Sequence, residues 1–133
     1  MKCLTVLILV LSVLAGCKGS SPKDWDKQRI LKEGEKLFSL NGCIVCHSLE
    51  GEVIYGPPLN NVYMKETKII RDGKVLTVTA DREYLRRKIT NPRADRVLEY
   101  QSKEMPETFL SDEEVNILVE YLILLNEEQA END

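Results

Sequence analysis

The stretch Cys43-Ile44-Val45-Cys46-His47 decides how the rest of this chain is read. It sets two thiols three positions apart and places an imidazole directly after the second. His47 is the only histidine among 133 residues, and Cys43 and Cys46 are two of only four cysteines. Upstream, Asn41-Gly42 ends a helical pattern. Downstream, Gly51 and Gly56-Pro57-Pro58 prevent a new one, so the motif opens a loop that runs to about Lys65.

Cys-x-x-Cys-His is the attachment signature of c-type haem. The two thiols add across the vinyl groups as thioethers, and their spacing puts both sulfurs on one edge of the macrocycle. His47 follows at once, so its imidazole can turn under the ring and bind the iron. A zinc site would need a fourth good ligand, and adjacent Cys46 and His47 fit poorly around one tetrahedral ion. A thioredoxin-like redox pair belongs at the start of a helix after a strand, whereas this pair follows a helical segment. With one histidine, a second imidazole on the iron is excluded. The remaining soft ligand is methionine, and apart from Met1 only Met64 and Met105 are present. Met105 lies 58 residues beyond His47, enough chain to cross to the other haem face, while Met64 lies only 17 residues on. Met105 is therefore the expected sixth ligand. If it is instead a packing residue, the iron is open or solvent-bound.

Moving outward, Met1 to Gly16 carries one basic residue, Lys2, then a run of Leu, Val and Ile, then small residues. The run is too short for a finished transmembrane helix but suits a signal peptide. Leu14-Ala15-Gly16-Cys17 resembles the lipobox of bacterial lipoproteins, in which Cys17 is acylated and becomes the new N-terminus. A plain secretory signal or an uncleaved anchor are the other readings, and all three export the domain. The expected layout is a lipoprotein signal over 1–16, lipidated Cys17 with a tether over 17–23, a folded domain over 24–126 and an acidic tail over 127–133. The tether reaches about 20 Å at most, so the domain sits close to a membrane. Lysine and arginine total 18 against 22 acidic residues, a formal charge of -4. No basic stripe is available for phosphates, so nucleic acid is not an expected partner.

The coarse pattern gives three helices and one hairpin. Asp24 or Asp26 can cap a first helix reaching about Leu40, with Ile30, Leu31, Leu37 and Phe38 on one face and Gly34 among them. Asp72-Gly73 between β-branched residues marks a hairpin within 68–78. A second helix is expected from about Thr79 to Thr90, stopping before Asn91-Pro92. Ser111 and Glu114 form a capping box for the last helix, whose stripe is Val115, Leu118, Val119, Leu122 and Leu125. Long loops around so modest a core are uncommon unless they hold something.

Taken in order, these features resemble class I (mitochondrial-type) monohaem cytochrome c, with the nearest likeness to the cytochrome c domain fused to subunit II of some haem–copper terminal oxidases. The likeness spans about Leu31 to Leu125. It is carried by Gly34 and Phe38, the Cys43-to-His47 motif, Gly56-Pro57-Pro58-Leu59, the segment from Asp81 to Asn91-Pro92, Met105-Pro106, and Leu118 with Tyr121. It implies an all-α fold of about three main helices around one covalent haem c, plus the small hairpin, with the first and last helices crossing at Gly34. It also implies that the Pro57 carbonyl accepts a hydrogen bond from His47 and that Leu59 packs on the haem. The copper-binding domain and the membrane hairpin of such a subunit are missing, and the lysine-rich docking face of mitochondrial cytochrome c is poorly matched.

The expected function is one-electron transfer, because an iron with both axial positions filled has no place for substrate. The chain would be a lipid-anchored carrier, not an enzyme. Its partners would be redox proteins, a terminal oxidase or reductase among them, and the membrane through its N-terminal lipid. Its place would be on a bacterial membrane facing the periplasm or cell exterior. Two alternatives stand beside it: a haem-based gas-binding or sensor protein if the sixth ligand is absent, and a non-catalytic haem subunit of a larger respiratory complex.

Overall fold

The computed structural model describes the backbone of residues 22–130 and the side chains of residues 26–130. The expected signal peptide, Cys17 and the first part of the tether lie outside these residues. In chain order the elements are α1 (Pro22–Leu40), the single turn α2 (Cys43–Cys46), β1 (Glu66–Arg71), β2 (Lys74–Thr79), α3 (Arg82–Thr90), β3 (Arg96–Val97), a 3-10 turn (Leu98–Tyr100) and α4 (Asp112–Ala130). Among the described residues no helix is long and apolar enough to cross a membrane.

Helix α1 packs against α4, and the contact depends on the absence of a side chain at Gly34. A Cβ built there would overlap the Cβ and ring of Tyr121. Beside this crossing, the Phe38 and Tyr121 rings meet with centroids 6.2 Å apart and planes tilted by 55°. Phe38, Val115, Leu118, Val119 and Leu122 are all buried, so the two helices share one apolar seam. Helix α1 begins at Pro22, inside the stretch expected to be tether. Proline suits a helix's first turn, where its missing N–H would have had no partner. Neither Asp24 nor Asp26 therefore caps it.

The capping box of α4 is formed as expected: the Ser111 N–H donates to Glu114 Oε2 at 2.8 Å and the Glu114 N–H to Ser111 Oγ at 3.3 Å. The helix continues past residue 126 to Ala130, so the first part of the expected acidic tail is helical. Glu and Gln are good helix formers. Tertiary contacts hold this turn as well, with Lys27 paired to Glu128 at 3.0 Å and Gln129 donating to the Leu49 carbonyl at 3.4 Å.

Asp72 and Gly73 both have positive φ, 51° and 73°, as the tight hairpin turn requires. Strands β1 and β2 pair in register from Glu66 opposite Thr79 to Arg71 opposite Lys74. Helix α3 starts later than its pattern suggested. Thr79 belongs to β2, and Asp81 is the cap, its side chain accepting from the Tyr84 N–H at 2.8 Å.

The all-α expectation needs correction. The β elements form a three-stranded antiparallel sheet, β2-β1-β3, in which Ile69 lies opposite Val97 and Ile70 opposite Arg96. β3 is two residues long, so no alternation could announce it. It is fixed from outside by Asp95, which is fully buried. Arg71 of β1 donates to both its oxygens at 2.6 and 2.8 Å, and Arg87 Nε of α3 donates at 2.7 Å. One carboxylate thus ties the sheet to α3.

The Arg71 guanidinium, followed by that of Arg87, holds the Asp95 carboxyl below its ordinary range against the opposing effect of burial. A depressed folded pKa gives stability that is complete above the unfolded value of about 3.9 and erodes as pH falls below it. Asp95→Asn is expected to lose roughly 1.5–3 kcal/mol at neutral pH, the range for hydrogen bonds to a charged group. Denaturant titrations at neutral pH and below about pH 4 should show the gap between wild type and variant shrinking on acidification.

Candidate functional site

Helix α1 ends at Leu40 and the chain reverses through Gly42, whose φ of 70° is in the left-handed region. The single turn α2 then carries Cys43 and Cys46 on one short rigid unit. Both are half-buried and not joined to each other, and burial pushes the Cys43 thiol above its ordinary pKa. The turn follows a helix rather than a strand. Among the described residues no three His, Cys, Asp or Glu side chains converge to hold a metal ion. The thioredoxin-like reading is not supported.

The loop after His47 folds back onto α2. The N–H groups of Tyr55 and Gly56 both donate to the Cys46 carbonyl, at 3.3 and 2.8 Å, and the Leu59 N–H donates to the Ser48 carbonyl at 2.8 Å. This brings the Pro57 carbonyl to 2.8 Å from His47 Nδ1. A carbonyl can only accept, so Nδ1 carries the proton and Nε2 keeps its lone pair. Burial lowers the His47 pKa from its ordinary value; the Pro57 carbonyl opposes this and the Lys88 charge reinforces it. Gly56 supplies the space: a Cβ there would lie 2.6 Å from the ring's Cε1 and 2.9 Å from Nδ1.

His47 faces two adjoining cavities, of about 440 and 130 Å³. The larger is bounded by core side chains including Phe38, Leu59, Leu85, Ile89, Leu118 and Leu122. Cys43, His47, Pro57, Lys88 and Met105 line both cavities, and Cys46 lines the smaller. The structure therefore gathers Cys43, Cys46, His47, Pro57, Leu59 and Met105 around one cleft, although Met105 comes from a loop after the 3-10 turn. Met64 lines neither cavity; it is 59% exposed and has a φ of 60°.

Two residues of the site escape a reading by motif. Asn126 is buried in α4 and fixes the loop below the cleft. Its Oδ1 accepts from the Tyr63 N–H at 2.8 Å, and its Nδ2 donates to the Leu59 carbonyl at 2.9 Å and the Leu122 carbonyl at 2.8 Å. Lys88 lines both cavities from α3. In each case the available signal is a polar residue on an otherwise apolar helix face: Asn126 four residues after Leu122, and Lys88 four after Tyr84 and three after Leu85.

These residues suit a haem. The cleft is largely apolar and hundreds of cubic ångströms in size, as ligand sites are, and it presents two thiols on one turn, a neutral imidazole and a thioether. Fold and site together define a monohaem protein of c type. The family model for cytochrome c matches residues 31–125, and the chain belongs to the cytochrome c family. Its cofactor is covalent haem c, with which the Cys43 and Cys46 pair is compatible, and it is a haem electron-transfer protein. Comparison with curated proteins found no match.

The tight fit of Gly56 against the imidazole gives a direct check. Gly56→Ala is expected to displace the ring from Pro57 and to destabilise the haem-loaded protein by about 1–3 kcal/mol, as overpacking does. Denaturant titration and the visible spectrum should both change. A variant equal to wild type in both would show that the ring has room to move.

Proposed function

We propose that this protein is a lipid-anchored carrier of single electrons, with His47 and Met105 as the two axial ligands of its haem and Cys43 and Cys46 as the thioether positions. The observation that carries the ligand assignment is that His47 and Met105 line the same two cavities while Met64 lines neither. Haem iron bound in this cleft supplies a one-electron ferric–ferrous couple. The chain's own residues do the rest. The Pro57 carbonyl fixes the imidazole tautomer and leaves Nε2 for the metal, as outer hydrogen bonds commonly do for ligating histidines. Pro106 stiffens the loop that presents Met105. Apolar core side chains line the larger cavity, and a thioether ligand beside them would favour the reduced state.

The anchor is Cys17, read from Leu14-Ala15-Gly16-Cys17. It places the domain on a bacterial membrane, facing the periplasm or the cell exterior. The proposed partners are redox enzymes reachable from that surface, a terminal oxidase or a reductase. With His47 and Met105 both holding the iron, diatomic gases would find no free coordination site, which favours carriage over sensing.

Ligand replacement tests the assignment. Met105→Ala should lower the reduction potential, abolish the methionine–iron band at the red end of the ferric spectrum and let the ferrous protein bind carbon monoxide, while Met64→Ala should do none of these. A Met105→Ala protein with the wild-type spectrum and potential would remove the assignment. For the anchor, Cys17→Ser should release a soluble haem protein or stall maturation, read by fractionation and peroxidase staining. Retention of the mature variant in the membrane fraction would count against lipidation.

A further inference from the structure

Helix α3 presents Tyr84, Leu85 and Ile89 to the interior, all buried, and Lys88 projects from the same face. Lys88 is half-buried there, and drawing an ammonium even part-way out of water favours partners that hold it. Here the partners are neutral: Nζ donates to the Pro92 carbonyl at 2.9 Å and to the Asp95 carbonyl at 2.7 Å. Among the described residues Lys88 forms no ion pair. The nearby carboxylate of Asp95 is taken by Arg71 and Arg87, so the cluster of three cations and one anion carries a net positive charge. Lys88 lines both cavities together with His47 and Met105.

We propose that Lys88 is a fixed cation that raises the reduction potential of the haem site. The inference rests on the haem reading of the cleft. When a redox partner delivers one electron, the charge at the iron falls by one unit. A positive charge held beside the site disfavours the more positive, oxidised state and leaves the reduced state better balanced. Its effect is strongest where water is excluded, because the screening that weakens surface charges is absent. The two carbonyls hold the ammonium in place without cancelling its charge, which a carboxylate would do. Lys88 is thus a tuning residue: it acts on the site through space and takes no electron itself.

The test is potentiometric titration of the haem-loaded protein with Lys88→Gln and Lys88→Arg, alongside Asp95→Asn. Lys88→Gln should shift the midpoint downwards with the methionine–iron band retained, and Lys88→Arg should hold the wild-type value. Asp95→Asn removes a negative charge from the same cluster and should shift the midpoint upwards. That sign separates charge from damage, because general loosening of the site admits water and lowers the potential. An unchanged midpoint in Lys88→Gln, or an equal fall in Lys88→Arg, would overturn the proposal. If Lys88→Gln does not fold, Lys88→Met takes its place, and an unchanged midpoint in that variant overturns the proposal. Carbon monoxide binding by the wild-type protein would instead count against Met105 ligation, and the charge-dependent shifts would still be read independently.

Discussion

The imidazole of His47 is held from two sides at once, and most of the local architecture exists to hold it. On one side the Pro57 carbonyl takes the Nδ1 proton at 2.8 Å. On the other, Gly56 leaves room that any side chain would occupy. For that carbonyl to arrive, the loop must fold back on the Cys46 carbonyl. Its far end must be anchored too, and this is the work of Asn126, which binds the backbone at Leu59 and Tyr63 from α4. Helix α4 is in turn seated on α1 through the bare backbone at Gly34. A chain of contacts therefore leads from the helix crossing to the tautomer of one ring.

This dependence explains which parts were legible in the sequence. Local signals fixed local structure: Asp72-Gly73 gave the hairpin turn, Ser111 with Glu114 gave the start of α4, and Asn91-Pro92 gave the end of α3. The motif residues and Met105, which the structure gathers around one cleft, stood out as candidates because few histidines and methionines compete with them. Boundaries were less so. Ala130 extends α4 beyond the composition shift, since tertiary contacts rather than local propensity decide where a helix frays. β3 was illegible because two residues carry no period. Its place depends on Asp95 meeting Arg71, which lies 24 positions earlier in the chain.

The same distinction separates the buried polar groups from half-buried Lys88. Asn126 is fully used: both ends of its amide are hydrogen-bonded to backbone, and no described buried side-chain polar atom lacks a partner. Such a group adds specificity, because only one arrangement of loop and helix satisfies it. Asp95 is also compensated, by two guanidiniums. Lys88 is different. Its hydrogen bonds are satisfied, yet its charge is not balanced by a carboxylate of its own.

For packing alone, an apolar side chain would suit half-buried position 88 of α3, since drawing a charge even part-way out of water is costly. Tyr84, Leu85 and Ile89 show that this face of the helix otherwise follows that rule. A single departure from a consistent local pattern, located on the wall of the functional cleft, points to function rather than to folding. The chain is acidic overall, with a formal charge of -4, so the positive cluster is not an echo of its average composition. The polar departure on this helix face is thus also the residue that lines both cavities beside His47 and Met105.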